Sequence, residues 1–287
     1  MMKKQQVVLF LALLFSSLLH AETSVWKVSK GQSHMYLGGT IHMLSATDFP
    51  LPQAFDQAYS DAARVVLETD MAVLLQPQFQ MQLMSRLSYQ DGRLLNQIIS
   101  AELYAELNQY LRARGMLPNL FIGMKPAGVM LTMLAIEFQR LGISESGADT
   151  VYYQRAVADG KAVAGLESIE SHLNYIAGLG EGNEETFLRQ SLEDSLQTEQ
   201  MMRQIVKAWK QGDVPALERL VVSDMQQYYP AVYQSLLVER NLNWLPQIQR
   251  MLDNQEVELV LVGAAHLIGP DGILRALAAQ GYQIEQL

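Results

Sequence analysis

The sequence predicts an α/β protein, a mixed sheet built from N- and C-terminal strands around a large helical middle. Short apolar or alternating runs edged by glycine lie near both ends, at residues 24–40, 64–68, 256–262 and 282–286. The stretch between carries apolar residues at helical spacing. With 287 residues, 49% of them hydrophobic and 18% charged, the chain can bury a sizeable core and is too apolar to stay disordered.

In chain order, residues 1–21 have the form of a secretory signal. Lys3 and Lys4 open it, Val7 to Leu19 is apolar except for Ser16 and Ser17, and Ala21 is a small residue suited to cleavage. The run falls short of the about 20 apolar residues that span a bilayer. The expectation is a cleaved signal peptide, followed by one exported domain over 22–287 with no stable membrane span, in a bacterial periplasm. Later, the apolar stretch Ala127 to Phe138 is interrupted by Thr132 and Glu137.

Residues 24–29 and 32–40 read as a hairpin turning at Lys30-Gly31-Gln32. Pro52 to Ala63 reads as a helix whose inner face is Ala54, Phe55, Ala58 and Tyr59, and Arg64 to Glu68 as a buried strand. Strand, helix, strand in this order suggests a crossover unit. A helical insertion is expected over about 74–160 and again over 169–252, with a strand at Lys161 to Leu166 between its two parts. Glycines 178–182, Gln211-Gly212-Asp213, Pro230 and Pro246 are its expected breaks. Glu256 to Val262 is the clearest strand. A final helix at Ile273–Ala279, with Asp271 as its expected N-cap, and a strand at Tyr282–Gln286 complete the chain. No repeat of 20 to 50 residues is visible, which argues against a solenoid.

Charge and composition exclude several functions. The formal charge is −9, and it becomes more negative once Lys3 and Lys4 leave. No basic stripe remains for nucleic acid. The chain has no cysteine, so disulfides, thiolate nucleophiles and iron–sulfur clusters are out. No P-loop, nucleophile elbow, His-Glu-x-x-His or dinucleotide fingerprint occurs.

Two Gly-x-x-His motifs remain, Gly39 to His42 and Gly263 to His266. Each follows a strand. Glycine at a strand exit permits a tight turn and a close approach by a ligand. A histidine just beyond projects over the carboxyl edge of the sheet, where open α/β sheets build their sites. Neutral imidazole is a good ligand for a borderline metal. Glu68, at another strand end, is the natural third member, either as ligand or as general base beside the metal. Read alone, each motif is equally compatible with an ordinary turn.

Taken together, several blocks resemble the TraB/PrgY/GumN family, which includes the Tiki metalloproteases. They are Tyr36 to His42, Val65 to Glu68, Gly147-Ala148-Asp149, Gly165 to Ser168, Glu239-Arg240-Asn241 with Trp244, and Val260 to His266. The resemblance runs from Trp26 to Leu287. It implies a fold similar to the erythromycin-esterase/ChaN-like group and a metal-dependent hydrolase, most simply a peptidase acting on a peptide or protein. The implied ligands of a divalent Mn, Co or Zn ion are His42, His266 and Glu68. Arg240 would orient Glu68 or stabilise an oxyanion, or else form a helix-surface ion pair. Asn241 would bind substrate or cap a helix, and Glu167 would line the cleft. Asp149 is read as a helix N-cap. His172 stands where the family pattern leads one to expect Gln, and reads as a solvated helix histidine. Two alternatives stay open: a peptide-binding or regulatory protein without turnover, and a hydrolase of a non-peptide bond.

Overall fold

The computed structural model describes residues 22–143 and 147–287; the expected signal peptide lies outside the described residues. Six strands form one sheet: β1 (Val25–Lys30), β2 (Ser33–Thr40), β3 (Arg64–Leu67), β4 (Ala162–Gly165), β5 (Glu258–Gly263) and β6 (Gln283–Gln286). Their order is β4-β3-β5-β2-β1-β6. The four strands from β4 to β2 are mutually parallel, and β1 runs antiparallel to both of its neighbours. The expected hairpin forms, with Gly31 at the turn in the left-handed conformation (φ 63°) that glycine tolerates.

The N-terminal crossover differs from a simple unit in one respect. β2 and β3 are parallel, joined through the helix Gln53–Asp61, but they are not neighbours. β5, which arrives almost two hundred residues later, fills the slot between them, pairing with β2 from Tyr36↔Leu259 and with β3 from Arg64↔Glu258. Every residue of β5 is buried. A strand covered on both faces reads as an unbroken apolar run, which is why Leu259 to Val262 is so legible. The helix Gln53–Asp61 buries the face expected, Ala54, Phe55, Ala58 and Tyr59.

The helical segments fall between β3 and β4 and between β4 and β5, as the sequence indicates. They build a second apolar cluster away from the sheet, where Leu103, Leu107 and Leu111 meet Val129, Met133 and Leu188. The helix Glu184–Lys210 joins the two cores: its first turns enter the helical cluster, and Trp209 near its end packs in the sheet core. Trp209 Nε1 donates to the carbonyl of Gly39 at 2.5 Å, fixing the helix end against the exit of β2.

Two local expectations are corrected. Pro246 does not interrupt a helix but lies inside Arg240–Met251, where burial of Trp244 and Ile248 outweighs the lost backbone bond. Asp271 does not cap the last helix; Gly272 occupies that position, and the Asp271 carboxylate accepts from the Tyr233 hydroxyl at 2.6 Å.

Candidate functional site

Each of the four parallel strands delivers one polar side chain beyond its carboxyl end. His42 follows β2, Glu68 follows β3, Glu167 follows β4 and His266 follows β5. All four strands point the same way, so their exits share one edge of the sheet. Arg240 and Asn241 open the helix Arg240–Met251 and enter the same place from above.

Glu68 is the centre of the cluster. Its Oε1 accepts from the Gly263 backbone N–H at 2.7 Å and lies 3.8 Å from His42 Nε2 and 3.9 Å from His266 Nε2. Its Oε2 accepts from Arg240 Nη2 at 2.6 Å. Burial acts to raise the Glu68 pKa, but the Arg240 charge, the two histidines and the Gly263 N–H hold it well below the ordinary value. The carboxylate is therefore ionised.

Arg240 ties three groups together. Beyond Glu68, it grips Glu167 through Nε and Nη2, at 3.1 and 2.8 Å, and its Nη1 donates to His266 Nε2 at 3.1 Å. The indole of Trp244 lies under the guanidinium, 4.5 Å from its carbon. The segment Gln234–Glu239 that leads into Arg240 is π-helical, an uncommon wide turn found often at functional sites.

The tautomer of His266 follows from Asn241. The Asn241 amide nitrogen donates to the carbonyls of His266 and Asp271, at 3.1 and 2.9 Å, so its oxygen must be the group facing the ring. That oxygen accepts from His266 Nδ1 at 2.8 Å. The proton therefore sits on Nδ1 and the lone pair on Nε2. Burial, with the nearby Arg240 charge and despite Glu68, lowers the His266 pKa to about 3, so the ring is neutral at physiological pH.

His42 is the open side of the cluster, with 57% of its side chain exposed. Its Nδ1 lies 2.8 Å from Asp149 Oδ2. Although burial opposes charge, Asp149 raises the His42 pKa to about 9. The N-cap reading of Asp149 is thus corrected: Gly147 is the N-cap, and Asp149 sits in the first turn of Ala148–Ala158 with its carboxylate on His42. Gly147 is required by this approach, since a Cβ there would lie 2.1 Å from the His42 carbonyl oxygen. His172 is not solvated either. Its Nδ1 is 2.8 Å from Glu167 Oε1, which extends the network by one more side chain. The Asp149 role is not legible from sequence, because its partner His42 lies 107 residues away, whereas His172 reaches back only five residues to Glu167.

The motif glycines have separate duties. Gly39 lets β2 pass Ala264, whose Cα would be 3.0 Å from an added Cβ. At Gly263 an added Cβ would lie 3.3 Å from His42 Nε2, 3.4 Å from Glu68 Oε1 and 3.6 Å from the His266 ring. Its missing side chain leaves a cradle between the three groups that the motifs single out.

The cradle suits a divalent cation in kind. Two imidazole nitrogens and an ionised carboxylate face it, and two donor atoms 3.8 Å apart can share an ion at bond lengths near ~2.1 Å. As the side chains stand, no group of three or more His, Cys, Asp or Glu among the described residues is closed around a metal position. For ligation the hydrogen bond from Arg240 Nη1 to His266 Nε2 must be exchanged and the His42 Nε2 proton released.

The TraB/PrgY/gumN family model matches residues 24–286, and the chain belongs to that family. It is 25% identical over 251 residues to the uncharacterized protein YbaP of Escherichia coli (strain K12), covering 86% of this chain and 89% of that protein. It is equally similar to the uncharacterized protein YbaP of Shigella flexneri. No solved structure matches the chain, so the expected likeness to the erythromycin-esterase group gains no further support. Among the described residues no helix is long and apolar enough to cross a membrane.

Proposed function

We propose that the chain is an exported metal-dependent hydrolase of peptide bonds, with its site at the carboxyl edge of the sheet. The observation that carries this reading is the Gly263 cradle, with His42, Glu68 and His266 around a space that any larger residue would fill. His42, Glu68 and His266 would hold a divalent cation; Mn, Co and Zn all suit such a donor set. When bound, the cation would acidify a water and polarise the scissile carbonyl.

The surrounding residues prepare the three ligands. Asn241 fixes His266 in the tautomer whose lone pair faces Glu68. Asp149 holds His42 through Nδ1 with Nε2 toward the cradle, and a bound cation would take the place of the Nε2 proton. Arg240 keeps Glu68 ionised, able to ligate or to take a proton from an attacking water. Glu167 holds the guanidinium from its other side. An Arg240 N–H freed from His266 is then available to a developing oxyanion. The exposure of His42 gives substrate its entry.

The test is turnover of a quenched fluorescent peptide library by the purified protein. Multiple turnovers per protein, stopped by a chelator and restored by a divalent metal, are expected. Saturation at one peptide per protein with no cleavage would mean a binding protein, and hydrolysis of esters alone would mean a different bond.

A further inference from the structure

The exit of β2 carries one polar side chain that takes no part in the network around Glu68. Thr40 ends the strand, just ahead of His42, and is 2% exposed. Its hydroxyl has no hydrogen-bond partner among the described residues. A buried hydroxyl left unpaired is costly, and folded proteins leave few of them. Two other unpaired atoms lie at the same edge, Asp149 Oδ1 and Trp244 Nε1, but their side chains already have a task. Asp149 holds His42, and the Trp244 ring underlies Arg240. The Thr40 hydroxyl has no such task.

The sheet register fixes where this side chain stands. Thr40 is paired with Gly263 across the parallel ladder of β2 and β5. Paired residues on neighbouring strands, ~4.8 Å apart, project to the same face. The pair Gly38↔Leu261 obeys this, since a Cβ at Gly38 would lie 2.7 Å from the Leu261 side chain. Thr40 therefore stands beside Gly263, on the face where an added Cβ would meet His42, Glu68 and His266. It walls the cradle on the β2 side. Further in, the same face is apolar, with Leu261 and Phe55 closing on Gly38. Valine has the shape of threonine and would pack there without an unpaired oxygen, so packing alone does not call for a hydroxyl.

We infer that Thr40 is a catalytic residue that orients the attacking water. Its oxygen accepts one O–H of that water, and Glu68 accepts the other. The water's lone pair is then left to face the scissile carbonyl. The proton that the water gives up goes to Glu68, and Thr40 keeps its own throughout. A buried water is held by about three polar groups, and the cradle offers Thr40 and Glu68 from the two strands that flank β5. The inference rests on the peptidase reading for the identity of the step. The place of the water does not depend on turnover.

High-resolution crystal structures of the zinc-loaded protein and of Thr40→Val test the water, and steady-state kinetics test its role. An ordered water within hydrogen-bond reach of both Thr40 Oγ1 and Glu68 is expected in the unmodified protein, and it should be missing or displaced in Thr40→Val. That variant should keep its Tm, since it deletes an unpaired hydroxyl, and should bind zinc with unchanged affinity. Its kcat for peptide should fall about a hundredfold with KM within about twofold, the cost of a misplaced nucleophile. Thr40→Ser, which keeps the hydroxyl, should recover most of the kcat. A Thr40 hydroxyl bonded to protein alone, or unchanged kcat in Thr40→Val, would overturn the inference and leave the peptidase reading standing. Loss of zinc from Thr40→Val would overturn it too, by making the hydroxyl a ligand. A water in place on Thr40 with no peptide ever cleaved would overturn the peptidase reading while the water site stands.

Discussion

Gly263 is the residue whose chemistry is decided by what it lacks. Its backbone (φ −50°, ψ 134°) accepts any amino acid, so glycine is not needed there for conformation. What glycine leaves is space, since a methyl group would stand 3.3 Å from His42 Nε2, 3.4 Å from Glu68 Oε1 and 3.6 Å from the His266 ring. Gly263→Ala should therefore fold normally, with Tm within a few degrees of the unmodified protein, while kcat/KM falls at least a hundredfold. Full activity in that variant would mean that the cradle is not where reaction occurs. The two glycine-histidine motifs and Glu68 were legible as strand-end residues, while Arg240 and Asn241 entered only through the family resemblance. The role of Asp149 was not legible. A lone Asp at a helix start is read as a cap, and its pairing with a histidine from the far end of a different loop has no local signal.

At the scale of elements, Glu137 is the strongest case of a polar group built into an apolar helix. It lies on Pro126–Leu141 and is 1% exposed, yet it receives hydrogen bonds from Tyr110, Arg114 and Arg140. Burial would raise its pKa, but those donors hold it below the ordinary value. A carboxyl depressed on folding contributes stability above its unfolded pKa, near ~4.3, and loses it as pH falls through the native value. Glu137→Gln should cost about 2–3 kcal/mol at pH 7, because Arg114 is left without its buried partner. In urea titrations the gap between variant and unmodified protein should close below about pH 4. A gap that stays constant from pH 7 to pH 3 would show that the pair adds nothing electrostatic. Glu137 was visible in the sequence only as an interruption that argued against a membrane span. Its partners lie on another helix, and periodicity assigns faces, not contacts. Element order was otherwise readable, since the glycines at 178–182, Gln211-Gly212-Asp213 and Pro230 mark real helix boundaries. The π-helical turns were not, as no residue pattern separates them from ordinary helix.

At the scale of the molecule, the sheet works because its last parallel strand is its central one. β5 follows the whole helical middle in sequence, and its place between β2 and β3 brings His266 to His42 and Glu68. The sequence placed strands at both ends without revealing that interleaving, because strand order is set by long-range pairing rather than local preference. We propose that these ends meet around a cation. Elemental analysis of the purified protein, beside His42→Ala and His266→Ala, tests it most directly. We expect about one divalent metal per chain in the unmodified protein, and loss of both metal and peptide hydrolysis in each variant. Equal metal content in all three proteins, or hydrolysis undiminished in the variants, would contradict it.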